Sequence, residues 1–314
     1  MGSVRVLSPM VIQMMINAHT DFLPKACMCV ALALLVMLTT VPAFAQVDLA
    51  GVWAARNHED LEGMLPGDYT GLPINDEART RADAWLLSYQ AMPERQCIMY
   101  TSHYLVRGPQ SLQISSEIDP ISGRVVAWKM TGTIDRTPRT IWMDGRPHPS
   151  PDARHTASGF STGTWLGDTL LVSTTHLTEG LISHNGVPSS NQATIREYIV
   201  RHGDHLTIAM ILYDPIYLEE PYLRSKTWVY DPTVQVPPEP CEPVLEIARP
   251  AGVVPHYLPG TNPFIREMTD KFNLPLDAVR GGVSTIYPEY RKRLRDQYVP
   301  PATAPVLTPQ GGRP

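Results

Sequence analysis

The sequence predicts a mainly β protein: an antiparallel β-barrel, or a sandwich, with a few peripheral helices and a Pro-rich C-terminal tail. Three observations predict it. From residue 103 to 230 apolar residues recur with period two, as in Leu112, Ile114 and Ile118 set against Gln113, Ser115 and Glu117. Turn signals separate these runs at short intervals: Asp119-Pro120-Ile121-Ser122-Gly123, Gly145, Gly167-Asp168 and Gly203-Asp204. No helical pattern alternates with the strands, which argues against a parallel α/β sheet. A closed or nearly closed barrel or a sandwich follows, and a barrel would remove exposed edges, which suits a secreted sheet protein.

Taken in order, residues 48–54 (DLAGVWA) read as a first strand, followed by a Gly/Pro-rich loop over 63–75. Asn75 or Asp76 can cap a helix whose Ala78, Ala82, Trp85, Leu86 and Tyr89 share one face, with Pro93 closing it. Further strands are predicted over 124–131, 139–144, 158–166, 169–177, 193–202, 205–214 and 222–230. Gly167-Asp168 and Gly203-Asp204 make hairpins of their neighbours. Leu206, Ile208, Met210 and Leu212 share a face that must be buried. Residues 232–261 are proline-rich and should wrap the surface. Asn262-Pro263 opens a helix over 263–273, and Pro288 opens another over 288–298, with a basic surface of Arg291, Lys292, Arg293 and Arg295. The organisation is thus a signal peptide over 1–45, a strand, loop and helix over 46–102, the β core over 103–232, a wrapping segment with two helices over 233–299, and a disordered tail over 300–314.

Composition narrows the function classes. Of 314 residues, 43% are hydrophobic and only 18% charged, and the net charge is −5, so there is no cationic excess to neutralise the phosphates of a nucleic acid. Lys25, the apolar run CVALALLVML and Ala43-Phe44-Ala45 have the order of a secretory signal peptide. Its ten apolar residues fall short of the ~20 that span a bilayer, so no integral membrane span is expected after cleavage, and the protein should be periplasmic or secreted. Cys97 and Cys241 then remain, and in an oxidising compartment they most simply form one disulfide. No Cys-x-x-Cys, H-E-x-x-H, P-loop or dinucleotide fingerprint occurs, so neither a metal nor a cofactor is predicted.

Several residues could carry chemistry. Asp144-Gly145-Arg146-Pro147-His148-Pro149 would hold Asp144, Arg146 and His148 in a stiff loop, with His155 close behind. Ser161 lies in a stretch with the letters G-x-S-x-G, but the β context lacks the strand–turn–helix that presents a nucleophile. Leu170, Val172, Thr174 and His176 fall on one face of a strand, which would place Thr174 and His176 as polar groups in an apolar cavity. Glu197 and Arg201 share a face with Ile195 and Ile199, either paired inside or exposed on an edge. Trp165 and Tyr213 add aromatic surface.

The stretches D-G-R-P-H-P, G-F-S-T-G-T-W-L-G-D-T-L-L-V, R-E-Y and Y-D-P over 144–215 resemble those of a group of secreted bacterial proteins to which no activity is attached. The matching residues include Asp144, Arg146, His148, Ser161, Trp165, Glu197 and Asp214. Where that group has glycine and phenylalanine, this chain has His176 and Leu177. The Gly51-Val52-Trp53 opening also resembles the Gly-x-Trp of lipocalins, which implies a lipocalin-like barrel.

The resulting expectation is an exported barrel binding a small, mainly apolar molecule in a polar-tipped pocket. Its ligand contacts would be Asp144, Arg146, Ser161, Trp165, Thr174, Glu197, Arg201 and Tyr213. One alternative is a cofactor-independent hydrolase or isomerase with His148, His155 or His176 as acid or base. Another is an envelope interaction protein using the basic helix and the tail.

Overall fold

The computed structural model describes residues 47–56, 66–86, 100–109, 111–132, 138–236, 252–254 and 256–302. Cys97, Cys241, the signal segment and the tail beyond residue 302 lie outside the described residues. Nine strands close into a barrel in which β1 (Gly51–Ala55) pairs with both β2 (Leu112–Ile118) and β11 (Tyr222–Tyr230). Around the ring stand β3 (Val125–Gly132), β4 (Arg139–Trp142), β5 (Phe160–Leu166), β6 (Thr169–Thr175), β9 (Thr194–His202) and β10 (His205–Tyr213), in the order β1-β11-β10-β9-β6-β5-β4-β3-β2. Two short strands, β7 (Gly180–Leu181) and β8 (Pro188–Ser189), pair outside the ring. The barrel expectation is therefore met.

One pairing departs from the expected antiparallel pattern: β4 and β5 run parallel, with Ile141 opposite Ser161. Parity requires it, because nine strands cannot alternate direction all the way around a closed ring. A parallel neighbour cannot be reached by a tight turn. Residues 143–159 must therefore travel back along the outside of the barrel before β5 begins. That crossing strap carries Asp144, Arg146, His148 and His155.

Alternation sorts the side chains. Leu206, Ile208, Met210 and Leu212 are all buried, as their shared face required, and Trp53, Trp128 and Trp228 fill the interior with them. Gly163 lies on the buried face of β5, where an added Cβ would lie 2.6 Å from the Met143 sulfur and 3.0 Å from Ile141 and Leu170, so a glycine leaves room for these interior side chains. Two sequence expectations fail for local reasons. Ile118 is exposed because a bulge between Glu117 and Ile118 shifts its register. His176 does not continue the buried face of Leu170, Val172 and Thr174. The strand ends at Thr175, and His176 takes a left-handed φ of 58° that turns it out of the alternation.

One end of the barrel holds the tight turns 119–124, 167–168 and 203–204. Arg201 closes it: its Nη1 donates to Asp48 O (2.6 Å), its Nε to Gly203 O (3.0 Å), and its guanidinium lies over the Trp53 ring. The longer connections gather at the other end. There α1 (Asp76–Asp83) is capped by Asn75, whose Oδ1 accepts from Ala78 N while its Nδ2 donates to Ile216 O. The C-terminal segment adds α2 (Glu267–Phe272), α3 (Leu276–Val279) and α4 (Pro288–Gln297). The α2 helix starts later than the expected 263 because Asn262 Oδ1 accepts from Phe264 N and holds the chain in a turn first.

Candidate functional site

The predicted site residues separate into an inner group, an outer group and isolated positions. Inside, Glu197 pairs with Arg139 on the facing wall rather than with Arg201. Arg139 Nη1 donates to Glu197 Oε1 (2.9 Å) and its Nη2 forms the second arm of the ion pair with Oε2. The same guanidinium donates from Nε to Ser161 Oγ (3.1 Å) and from Nη2 to Thr174 Oγ1 (2.7 Å), and the two hydroxyls lie 2.8 Å apart. All four side chains are buried, and one network ties β4, β5, β6 and β9 together. Ser161, Thr174 and Glu197 thus share one buried hydrogen-bond network through Arg139. Ser161 has a guanidinium and a hydroxyl as neighbours, not an imidazole, so it lacks the base that activates a nucleophile.

Outside, the three histidines converge. His148 returns from the strap to lie between two strands: its Nδ1 is 2.7 Å from Thr175 Oγ1 and its Nε2 is 2.8 Å from Thr162 Oγ1, with the ring edge-on to Phe160. Thr175 Oγ1 is also 2.7 Å from His176 Nδ1, and His176 Nε2 is 2.8 Å from Ser150 O. A carbonyl can only accept, so His176 carries its proton on Nε2. With both imidazoles neutral, every other bond then takes one direction: Thr162 donates to His148, His148 to Thr175, Thr175 to His176, and His176 to Ser150. His155 stands beside His176, ring centres 5.2 Å apart, and its Nδ1 donates to Leu177 O (2.8 Å). Backbone bonds from Thr156 N to His176 O and from Thr178 N to Thr156 O complete the seam. The left-handed His176 is what aims its ring back at the strap, so the strain there serves this contact. Burial, then the neighbouring His176, hold the His148 pKa below the usual histidine value.

This seam fastens the strap to the barrel, which gives a test. Thr175→Val keeps the shape but removes the hydroxyl shared by both rings. Leaving two ring nitrogens short of a partner should cost about 1–3 kcal/mol. Hydrogen exchange should speed up over residues 148–158 while the interior strands keep their protection. Unchanged exchange in the strap would show that the histidines do not hold it.

The remaining predicted residues do not join either group. Asp144 and Arg146 pair with each other on the surface, Arg146 also lying 3.6 Å over the Trp142 ring, and this contact holds the Asp144 carboxyl below its usual range. Trp165 faces inward near the tight-turn end, Arg201 closes that end, and Tyr213 points outward. Among the described residues no group of three His, Cys, Asp or Glu could hold a metal ion, and no helix is long and apolar enough to cross a membrane.

A site that sequence reasoning missed lies at the loop-bearing end. A groove of about 720 Å³ runs between the start of β11, the 70–73 turn and the inner side of α4. Pro73, Pro221, Leu223, Leu274, Ile286 and Leu294 supply its apolar surface. Tyr222 and Arg224 form one wall. The Tyr222 hydroxyl accepts from Arg224 Nε (2.5 Å) and from Arg107 Nη1 (3.0 Å), which anchors that wall to the buried 3-10 turn Ser102–Val106 and the residue after it. Of these residues only the basic helix was visible beforehand, and only as a surface. The spacing of Tyr290, Arg291, Leu294, Arg295 and Tyr298 could have indicated a mixed apolar and cationic stripe. No family model, curated protein or solved structure matches the chain.

Proposed function

We propose that this protein binds a small, mainly apolar molecule, and that the closed barrel serves as the rigid wall of the site rather than as its container. The groove beside β11 is the observation that carries this reading. It has the volume and the mainly apolar lining of a small-molecule site, with a few polar groups at its edge. Within the barrel, the described large side chains are buried together and Arg139, Ser161, Thr174 and Glu197 bond to one another. Export to the periplasm or beyond belongs to the same reading and rests on the charged, apolar and Ala-Phe-Ala segments of residues 25–45. The hydrolase or isomerase alternative draws on the three converging histidines. There His148 and His176 have both ring nitrogens engaged in holding the strap.

The neutral, apolar dye N-phenylnaphthylamine tests the reading by its fluorescence on binding. Saturable enhancement is expected, and Leu223→Glu should weaken it about tenfold, a loss of ~1.4 kcal/mol. Leu223 is 64% exposed and points away from the barrel interior, so the change leaves the fold intact. Saturable binding that ignores this substitution would place the ligand elsewhere, and absence of saturable binding would remove the proposal.

A further inference from the structure

The groove has a polarity that its apolar lining does not require. Among the described residues that line it are three arginines, Arg224 from the barrel and Arg291 and Arg295 from α4, and no aspartate or glutamate. In a chain of net charge −5 this local cationic excess is not a reflection of overall composition. Of the carboxylates around it, Asp277 accepts from the Tyr290 hydroxyl and Glu220 from the Tyr287 hydroxyl, while Asp296 stands 3.9 Å from Arg295 in an exposed, solvent-screened pair that a ligand carboxylate would have to outcompete.

The helix itself is arranged for this. Tyr290, Arg291, Leu294, Arg295 and Tyr298 follow the i, i+4 and i+3 spacings that place side chains on one helical face, and that face lines the groove. A helix that packs on a barrel ordinarily buries an apolar stripe. Here no residue of α4 is buried, and the stripe turned toward the barrel carries two guanidinium groups. Across the gap, the Tyr222 ring and hydroxyl hold the Arg224 guanidinium at the opposite wall. Guanidinium groups present planar forks that match a carboxylate with two parallel hydrogen bonds. Leu223, Ile286 and Leu294 would take the rest of a ligand.

We infer that the groove selects an organic carboxylate, one anionic head on an apolar body, with Arg291 and Arg295 holding the head across from Arg224. This rests on the binding function proposed above and adds the ligand's chemical class to it.

A dansyl-labelled undecanoic acid and its methyl ester test it on the full chain, since the two share a body and differ only in the charge of the head. The acid is expected to bind about tenfold more tightly than the ester, and the preference should shrink as salt is raised. Arg291→Gln with Arg295→Gln changes two exposed helix positions to another good helix former. This double variant should bring the acid down to the affinity of the ester and leave the ester unchanged. If acid and ester bind alike and Leu223→Glu weakens both, the groove is a binding site but the carboxylate inference is wrong. A preference for the acid that survives in the double variant also overturns it, because the named arginines would not be its source. If neither probe binds saturably, the inference falls together with the reading it rests on.

Discussion

Glu197→Ala is expected to cost about 3–5 kcal/mol of stability, the largest effect of any single substitution considered for this protein. The physical reason is what remains behind. Arg139 and Glu197 are each about 1% exposed, and removing the carboxylate takes both arms of this ion pair away from a buried guanidinium, while the Ser161 and Thr174 hydroxyls beside it carry no charge. For a chain of this size the loss corresponds to a fall in Tm of roughly 10 °C. Glu197→Gln should be milder, since the amide oxygen still accepts from Arg139. Replacing both partners together, Arg139→Met with Glu197→Leu, should recover much of the loss, because two apolar side chains leave no charge without a partner. Urea unfolding of the two single variants and the double variant measures the coupling. A single-variant loss below about 1 kcal/mol would mean that the pair is solvated rather than buried.

The second large effect is acid destabilisation through His103. This side chain is 3% exposed on the 3-10 turn at the loop-bearing end of the barrel, and its Nε2 is buried with no hydrogen-bond partner. Burial foremost, and the nearby Arg107 charge after it, push its pKa from 6.5 down to about 4. The unfolded chain therefore takes up a proton between these two values that the folded chain refuses. Stability is full above pH 6.5 and falls as the pH drops through the window toward about 4, by about 3 kcal/mol at most. The lowered pKa of His148 acts in the same direction, since burial there also favours the neutral ring. His103→Phe fills a similar volume without titrating, so its stability should be flatter between pH 6.5 and 4 than that of the parent. Equal slopes for parent and variant would remove His103 as the cause.

The two effects concern different parts of the barrel and differ in how visible they were beforehand. The period-two alternation on β10 identified four inward residues, and all four are buried. The bounds predicted for the last strand, 222–230, coincide with β11. Asn75 was legible as a cap because an amide side chain ahead of a helical stripe serves the free backbone N–H groups of the first turn. The partner of Glu197 was not legible. Arg201 lies on the same face four residues along, which is about 13 Å on an extended strand and out of reach. Arg139 lies 58 residues away in the chain and bonds to Glu197 across the interior. The candidate histidines were legible only as residue types within one stretch of chain, and their grouping on the outer wall required knowing that β4 and β5 run parallel.

By itself, then, the sequence determined the strands, their turns, the faces that turn inward and the mainly β class, because each of these follows from interactions within a few residues of chain. Ring closure, the parity that forces one parallel pair, the strap this sends over the outside, the buried Arg139–Glu197 pair and the groove beneath α4 were decided by the tertiary structure alone. These depend on contacts between segments far apart in the chain. Local periodicity reports which face of a strand is apolar, but it carries no information about which strand, or which charge, will stand opposite.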